Sequence, residues 1–162
     1  MLKTVQISDV MRKSGFFFIG KAETTTNEAE IKGEGVIPTQ WGSLYESHLL
    51  EQIPNKKNSA IIALYTDYES GELGEYTFAL GSEVTAVDDV PDNLKSYQIV
   101  EGNYIVFTTR RGPVQTVVME AWQYIWEWSK TNERAFRTDF ELYDERCTDP
   151  ENSEVDIYIS VK

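Results

Sequence analysis

One carboxylate stands out for its setting. The segment Phe136-Arg137-Thr138-Asp139-Phe140-Glu141-Leu142-Tyr143-Asp144-Glu145 can be read at the two-residue period of a strand. Phe140 and Leu142 then share one face, and Asp139, Glu141 and Tyr143 share the other. The plain reading is a half-buried strand with a solvated polar face. The chemical reading places Glu141 as a lone carboxylate on the floor of an aromatic pocket, ready to receive a cation. A carboxylate withdrawn from water attracts a cation far more strongly than an exposed one. Each aromatic wall adds a cation–π attraction of about 0.5–2 kcal/mol.

The candidate walls are Trp41, Tyr65, Tyr104, Tyr143 and Tyr158. Tyr65 and Tyr143 are the strongest of these, because they share the strand parity of Ala63 and Glu141. Trp41 fits a core position as well as a pocket position. Trp122 and Trp128 fall in a helical apolar stripe and read as core, and Trp126, at the edge of that stripe, fits either role.

Other chemistries find little support. The one histidine, His48, and the one cysteine, Cys147, cannot build a zinc site together, and a single cysteine allows no internal disulfide. The acidic run Asp67-Tyr68-Glu69-Ser70-Gly71-Glu72 lacks the ligand spacing of a calcium loop and reads as a solvated hairpin. There is no nucleophile elbow, phosphate loop or dinucleotide fingerprint. No metal and no cofactor are expected.

Composition narrows the partners. The chain has 162 residues, 41% hydrophobic and 26% charged, which suits one domain with a real core. Acids outnumber bases 27 to 15, for a formal charge of -12. Phosphate backbones and anionic lipid repel such a surface, so neither direct nucleic-acid binding nor membrane association is expected. No apolar run reaches the length of a membrane span, and Met1-Leu2-Lys3-Thr4-Val5 lacks a signal-peptide core. With cysteine so scarce, the expected location is the cytoplasm.

The elements that must position these residues follow from periodicity. Val5-Gln6-Ile7-Ser8 reads as a short strand that Met11 to Gly15 interrupts, and Phe16 to Thr25 as a longer one. The segment from about Ile31 to Leu50 is helical, with Gly33 and Gly35 pointing to a true start near Pro38. Ser59 to Tyr68 and Tyr76 to Gly81 are strands joined by a turn over Glu69-Ser70-Gly71-Glu72-Leu73-Gly74. After a loop at Asp88 to Asn93 come strands at Tyr97 to Val100 and Tyr104 to Thr109, and a helix from Pro113 to about Lys130. The Glu141 strand and a final strand from Val155 to Val161 complete the chain.

The two parts of the chain look alike. Trp41-x-x-Leu44-Tyr45 parallels Trp122-x-x-Ile125-Trp126, and Ile62-Ala63-Leu64-Tyr65 parallels Phe140-Glu141-Leu142-Tyr143. Each half, about 1–88 and 94–162, is strand, helix, strand, strand within one domain, 1–162. The expected fold is α+β: two pseudo-symmetric modules form one antiparallel sheet, with both helices on one face and the other face open. In this scheme Ile62, Leu64, Phe140 and Leu142 face the helices. Ala63 and Glu141 take equivalent places on the open face, a methyl in one half and a charge in the other.

With the repeat in place, the chain resembles the GyrI-like effector-binding domain family, which also ends AraC-type and MerR-type multidrug-responsive regulators. The resembling residues are Phe140-Glu141-Leu142-Tyr143 followed by Val155 to Val161, with support from Tyr65-Thr66-Asp67-Tyr68-Glu69, Gly74 to Gly81, Gly102-Asn103-Tyr104 and Ala121-Trp122. The resemblance implies a small-molecule ligand cleft between the modules, on the sheet face away from the helices, with the family's cation-contacting glutamate at Glu141. The helix-turn-helix segment of the full regulators has no counterpart here, which leaves sensing, sequestration or a partner-mediated role in transcription. The expected ligand is a cationic or amphipathic aromatic small molecule. Two alternatives follow from the same resemblance. One is a hydrolase of strained, cyclopropane-containing electrophiles in which Glu141 activates water. The other is a protein-binding role with gyrase as the target. Beside the small molecule, a protein partner or a homodimer is a further expected partner.

Overall fold

The computed structural model describes residues 5–69 and 74–162. Most of the expected 69–74 turn, including part of its acidic run, and the first four residues lie outside the described set. Among the described residues nine strands form a single antiparallel sheet: β1 (Val5–Ile7), β2 (Met11–Lys13), β3 (Phe16–Thr25), β4 (Ile61–Thr66), β5 (Tyr76–Val84), β6 (Lys95–Ile99), β7 (Gly102–Thr109), β8 (Thr138–Tyr143) and β9 (Asp156–Val161). The helices are α1 (Asn27–Ile31), α2 (Ile37–Glu46), α3 (Leu49–Gln52) and α4 (Val114–Trp128), with a 3-10 turn at Glu145–Cys147. The expected α+β class and antiparallel sheet describe this architecture.

The strand order is β1-β7-β9-β8-β4-β5-β3-β6, with β2 also on β7. From the centre outward, β8-β9-β7 mirrors β4-β5-β3, each trio with a helix after its first strand in sequence. The seam is the β4–β8 pair, in register from Ile61↔Tyr143 to Thr66↔Thr138, and it sets Ala63 opposite Glu141. Met11–Lys13 is not the break that its sequence suggests. It pairs with the Gly102–Tyr104 end of β7, so that β1 and β2 together line one edge.

The connections curl the sheet. Only Ser14 and Gly15 separate β2, on β7, from β3 near the other end, and only Val100 and Glu101 separate β6, on β3, from β7. Links this short draw the two ends together. The inner face is therefore filled: Phe16, Phe18, Ile62, Leu64, Ala79, Ile99, Tyr104 and Phe140 form one buried cluster. Phe16 on β3 meets Phe140 on β8 edge-on at 5.3 Å.

The outer face carries the helices. On α4, Val117, Ala121 and Ile125 are buried at four-residue spacing, and Ala121 and Ile125 pack onto Phe107, Ile157 and Ile159. In the other half, Leu44 of α2 and Leu49 of α3 pack onto Ile19, Ala63, Phe78 and Leu80. The start of α2 has no side-chain cap of its own, so the Glu30 carboxylate accepts from Val36 N at 2.8 Å.

This arrangement corrects the expected facing. Ile62, Leu64, Phe140 and Leu142 point away from the helices into the curl, and Ala63 and Glu141 point toward the helix layer. An open cleft on the far face is excluded, because curling has already filled that side with aromatic core.

Candidate ligand-binding site

Each helix covers its own half of the sheet, and the seam strands between them floor a cleft of about 1300 Å³. Ile37, Pro38, Trp41, Gly42 and Tyr45 of α2 form one wall, and Val114, Val118, Met119, Trp122 and Trp126 of α4 form the other. Glu141 lies on the floor and is 2% exposed. Three neutral donors hold it: Tyr143 Oη donates to Oε1 at 2.6 Å, while Trp122 Nε1 and Tyr65 Oη donate to Oε2 at 2.6 and 2.8 Å.

Burial pushes the Glu141 carboxyl above its ordinary value, because desolvation disfavours the charge. The hydrogen bonds from Tyr143, Trp122 and Tyr65 work against that rise. Burial, and then the Glu141 charge beside them, push the Tyr65 and Tyr143 phenols well above their ordinary value, so both remain neutral donors. Trp41 meets Tyr143 edge-on at 4.9 Å, and Tyr65 and Trp122 meet at 5.2 Å, so aromatic rings flank the carboxylate.

Asp139, two residues earlier on the same face of β8, is fully buried but has its own cation. Arg134 Nη2 donates to it at 2.7 Å, and Tyr68 Oη and the Ser160 N–H and hydroxyl also donate to it. The Arg134 guanidinium also lies over Phe136, 4.3 Å from the ring centroid. One buried carboxylate of this strand is thus paired with a cation, while the hydrogen-bond partners of the other among the described residues are uncharged. The chemical capacity of the cleft follows: it can stabilise positive charge inside an aromatic enclosure.

The structure brings Glu141, Tyr143, Tyr65 and Trp41 together around the cleft. It does not bring Tyr104 or Tyr158. Tyr158 is the register partner of Phe140 and stacks on it at 4.5 Å, inside the curl. Tyr104 is 3% exposed and packs on the same two rings. Strand parity decides this: both tyrosines share the face of Phe140, opposite Glu141. Trp122, read from the sequence as core, instead lines the cleft and donates to the carboxylate. The signal was the width of the α4 stripe. Val117, Ala121 and Ile125 are its fully buried row, and beside it Val114, Val118 and Trp122 are only partly buried on the sheet cluster and also line the cleft. Tyr68, Tyr76, Glu30 and Arg134 also line the cleft and carried no comparable signal.

No described helix is long and apolar enough to cross a membrane.

Comparison with known proteins gives a consistent picture. YobU of Bacillus subtilis (strain 168), provisionally described as a transcriptional regulator protein, is 37% identical over 148 residues, which cover 90% of this chain and 91% of that protein. The crystal structure of the integron cassette protein VCH_CASS2 from the mobile metagenome of Vibrio cholerae superposes with a TM-score of 0.75 at 25% identity, over 99% of this chain and 97% of that one. SAV2435, solved bound to tetraphenylphosphonium, shares the fold with a TM-score of 0.78 at 17% identity, over 95% of this chain and 93% of that one. Residues 11–161 match the family described as Cass2, integron-associated effector binding protein. The chain belongs to this Cass2 family of effector-binding proteins, within the GyrI-like group.

Proposed function

We propose that this chain binds cationic aromatic small molecules in the cleft between α2 and α4. Glu141 supplies the counter-charge, and Trp41, Tyr65, Trp122 and Tyr143 supply the walls. The observation that carries the reading is the contrast on β8: Asp139 has Arg134, whereas Glu141, equally withdrawn from water, has three neutral donors. An ionised carboxylate in that position costs stability in the empty protein, and an entering cation offsets the cost. A phosphonium ion offers no hydrogen-bond donor, so it competes with none of the three bonds and acts by charge and ring contact alone. The tetraphenylphosphonium held by SAV2435 is a ligand of this chemistry. The fitting roles are those of an effector sensor in transcription regulation or of a sequestering protein.

Calorimetric titration tests the reading with tetraphenylphosphonium against neutral triphenylphosphine oxide. The phosphonium is expected to bind saturably and more tightly, and E141Q to weaken it by about 1–3 kcal/mol, the range for losing an interaction with a charged group. Equal affinity for the two probes would remove charge recognition from the account. Recovery of unchanged ligand separates binding from turnover.

A further inference from the structure

We infer that Gly42 sets the size of cation the cleft accepts, by leaving the α2 side open for an aryl group of a bulky aromatic cation; this rests on the binding function proposed above. Gly42 stands in the middle of α2, a helix of ten residues. Glycine is the poorest helix former after proline, so its presence there needs a reason. Two ordinary reasons are absent. Its backbone is not left-handed, since among the described glycines only Gly33 has a positive φ, of 79°. Nor does a neighbour press on it: a Cβ at Gly42 would meet nothing within 4 Å, whereas one at Gly15 would meet the Ile99 carbonyl oxygen at 2.7 Å.

What Gly42 faces is the cleft. Pro38, Gly42 and Tyr45 follow helical spacing along the α2 wall, and Gln115, Met119 and Gln123 do so along the α4 wall. The sequence alignment of the two halves pairs Trp41 with Trp122, and so Gly42 with Gln123. One lip therefore carries a long side chain where the other carries none. The gap lets a flat ring lie against the α2 backbone beside Trp41, where the ring and helix gain dispersion contact. A cation with a single aryl group can reach Glu141 without that space. A cation with four aryl groups needs it.

The test compares parent, G42A and G42L with two probes, tetraphenylphosphonium and benzyltrimethylammonium, together with thermal melts. Both variants are expected to melt at or above the parent temperature, G42A by about 2–4 °C more, because only helix propensity changes. G42L is expected to bind tetraphenylphosphonium at least tenfold more weakly and benzyltrimethylammonium within twofold of the parent, with G42A between parent and G42L for the larger probe. Parent-like affinity of G42L for tetraphenylphosphonium overturns the inference and leaves the binding function standing. So does an equal loss of both probes, or a lowered melting temperature in both variants, which would give Gly42 a structural role. A parent that binds neither probe overturns the binding function and this inference with it.

Discussion

Glu141 and Asp139 are two residues apart on one strand face and are both withdrawn from water, yet they have opposite electrostatic surroundings. Asp139 is neutralised by Arg134 and serves the fold. Among the described residues Glu141 has the Tyr65, Tyr143 and Trp122 donors, and burial raises its pKa in spite of them. A carboxyl whose folded pKa exceeds its unfolded value holds its proton more tightly in the native state. Its contribution to stability is fully present below the unfolded glutamate range and is lost as pH rises through the folded value. The empty protein should therefore lose stability over that window, by roughly 1.4 kcal/mol for each unit of difference. E141Q should flatten the slope and be at least as stable as the parent at neutral pH. Glutamine can keep the local bonds: its carbonyl accepts from Trp122 and Tyr65, and its amide donates to a rotated Tyr143 hydroxyl. Urea melts of both proteins from pH 4 to 8 measure this. Parallel stability curves for parent and E141Q would show that Glu141 does not carry the charge cost.

At the scale of elements, the two short crossovers decide which face of the sheet can hold a ligand. Gly15, between β2 and β3, lies against the backbone between β6 and β7. A Cβ there would come within 2.7 Å of the Ile99 carbonyl oxygen and 3.2 Å of the Glu101 nitrogen. Both are main-chain atoms, so neither can swing aside. G15A should cost about 1–3 kcal/mol in denaturant melts, the range for overpacking a fixed site. A parent-like midpoint would mean that the crossovers need not touch. Most helices and strands were legible in the sequence: α4 from its spacing, β8 and β9 from alternation, and β3 over the span its aromatic and β-branched residues indicate; β2 was not, and one expected helix is divided into α2 and α3. The facing of the sheet was not. Alternation assigns residues to two faces without saying which face the helices take, and the Ile62, Leu64, Phe140 and Leu142 row is as apolar as a helix-contact row because the curl buries it. Tyr104 and Tyr158 were misplaced for the same reason, while Tyr65 and Tyr143 were placed with Glu141 because that argument needed only parity. Trp122 was hidden by a stripe that serves two contacts.

For the molecule as a whole, the mirrored trios join at the β4–β8 seam, and the gap between their helices is the cleft. The seam puts Ala63 beside Glu141, so of these two matching positions one carries a charge and the other a methyl. A formal charge of -12 raises the local concentration of cations around the entire surface and adds to the pull of the buried carboxylate at low salt. In the proposed function the Glu141 charge, its burial and the ligand form one linkage. A cation bound beside Glu141 must lower its raised pKa, so binding must release a proton wherever the carboxyl is partly protonated. Titrating tetraphenylphosphonium into the protein in buffers of different ionisation enthalpy counts that proton directly. The predicted result is release by the parent between the ordinary glutamate pKa and the raised one, fading at higher pH, with none from E141Q. Saturable binding with no proton released by the parent at any pH in that window, or with the same release from E141Q, would contradict the account.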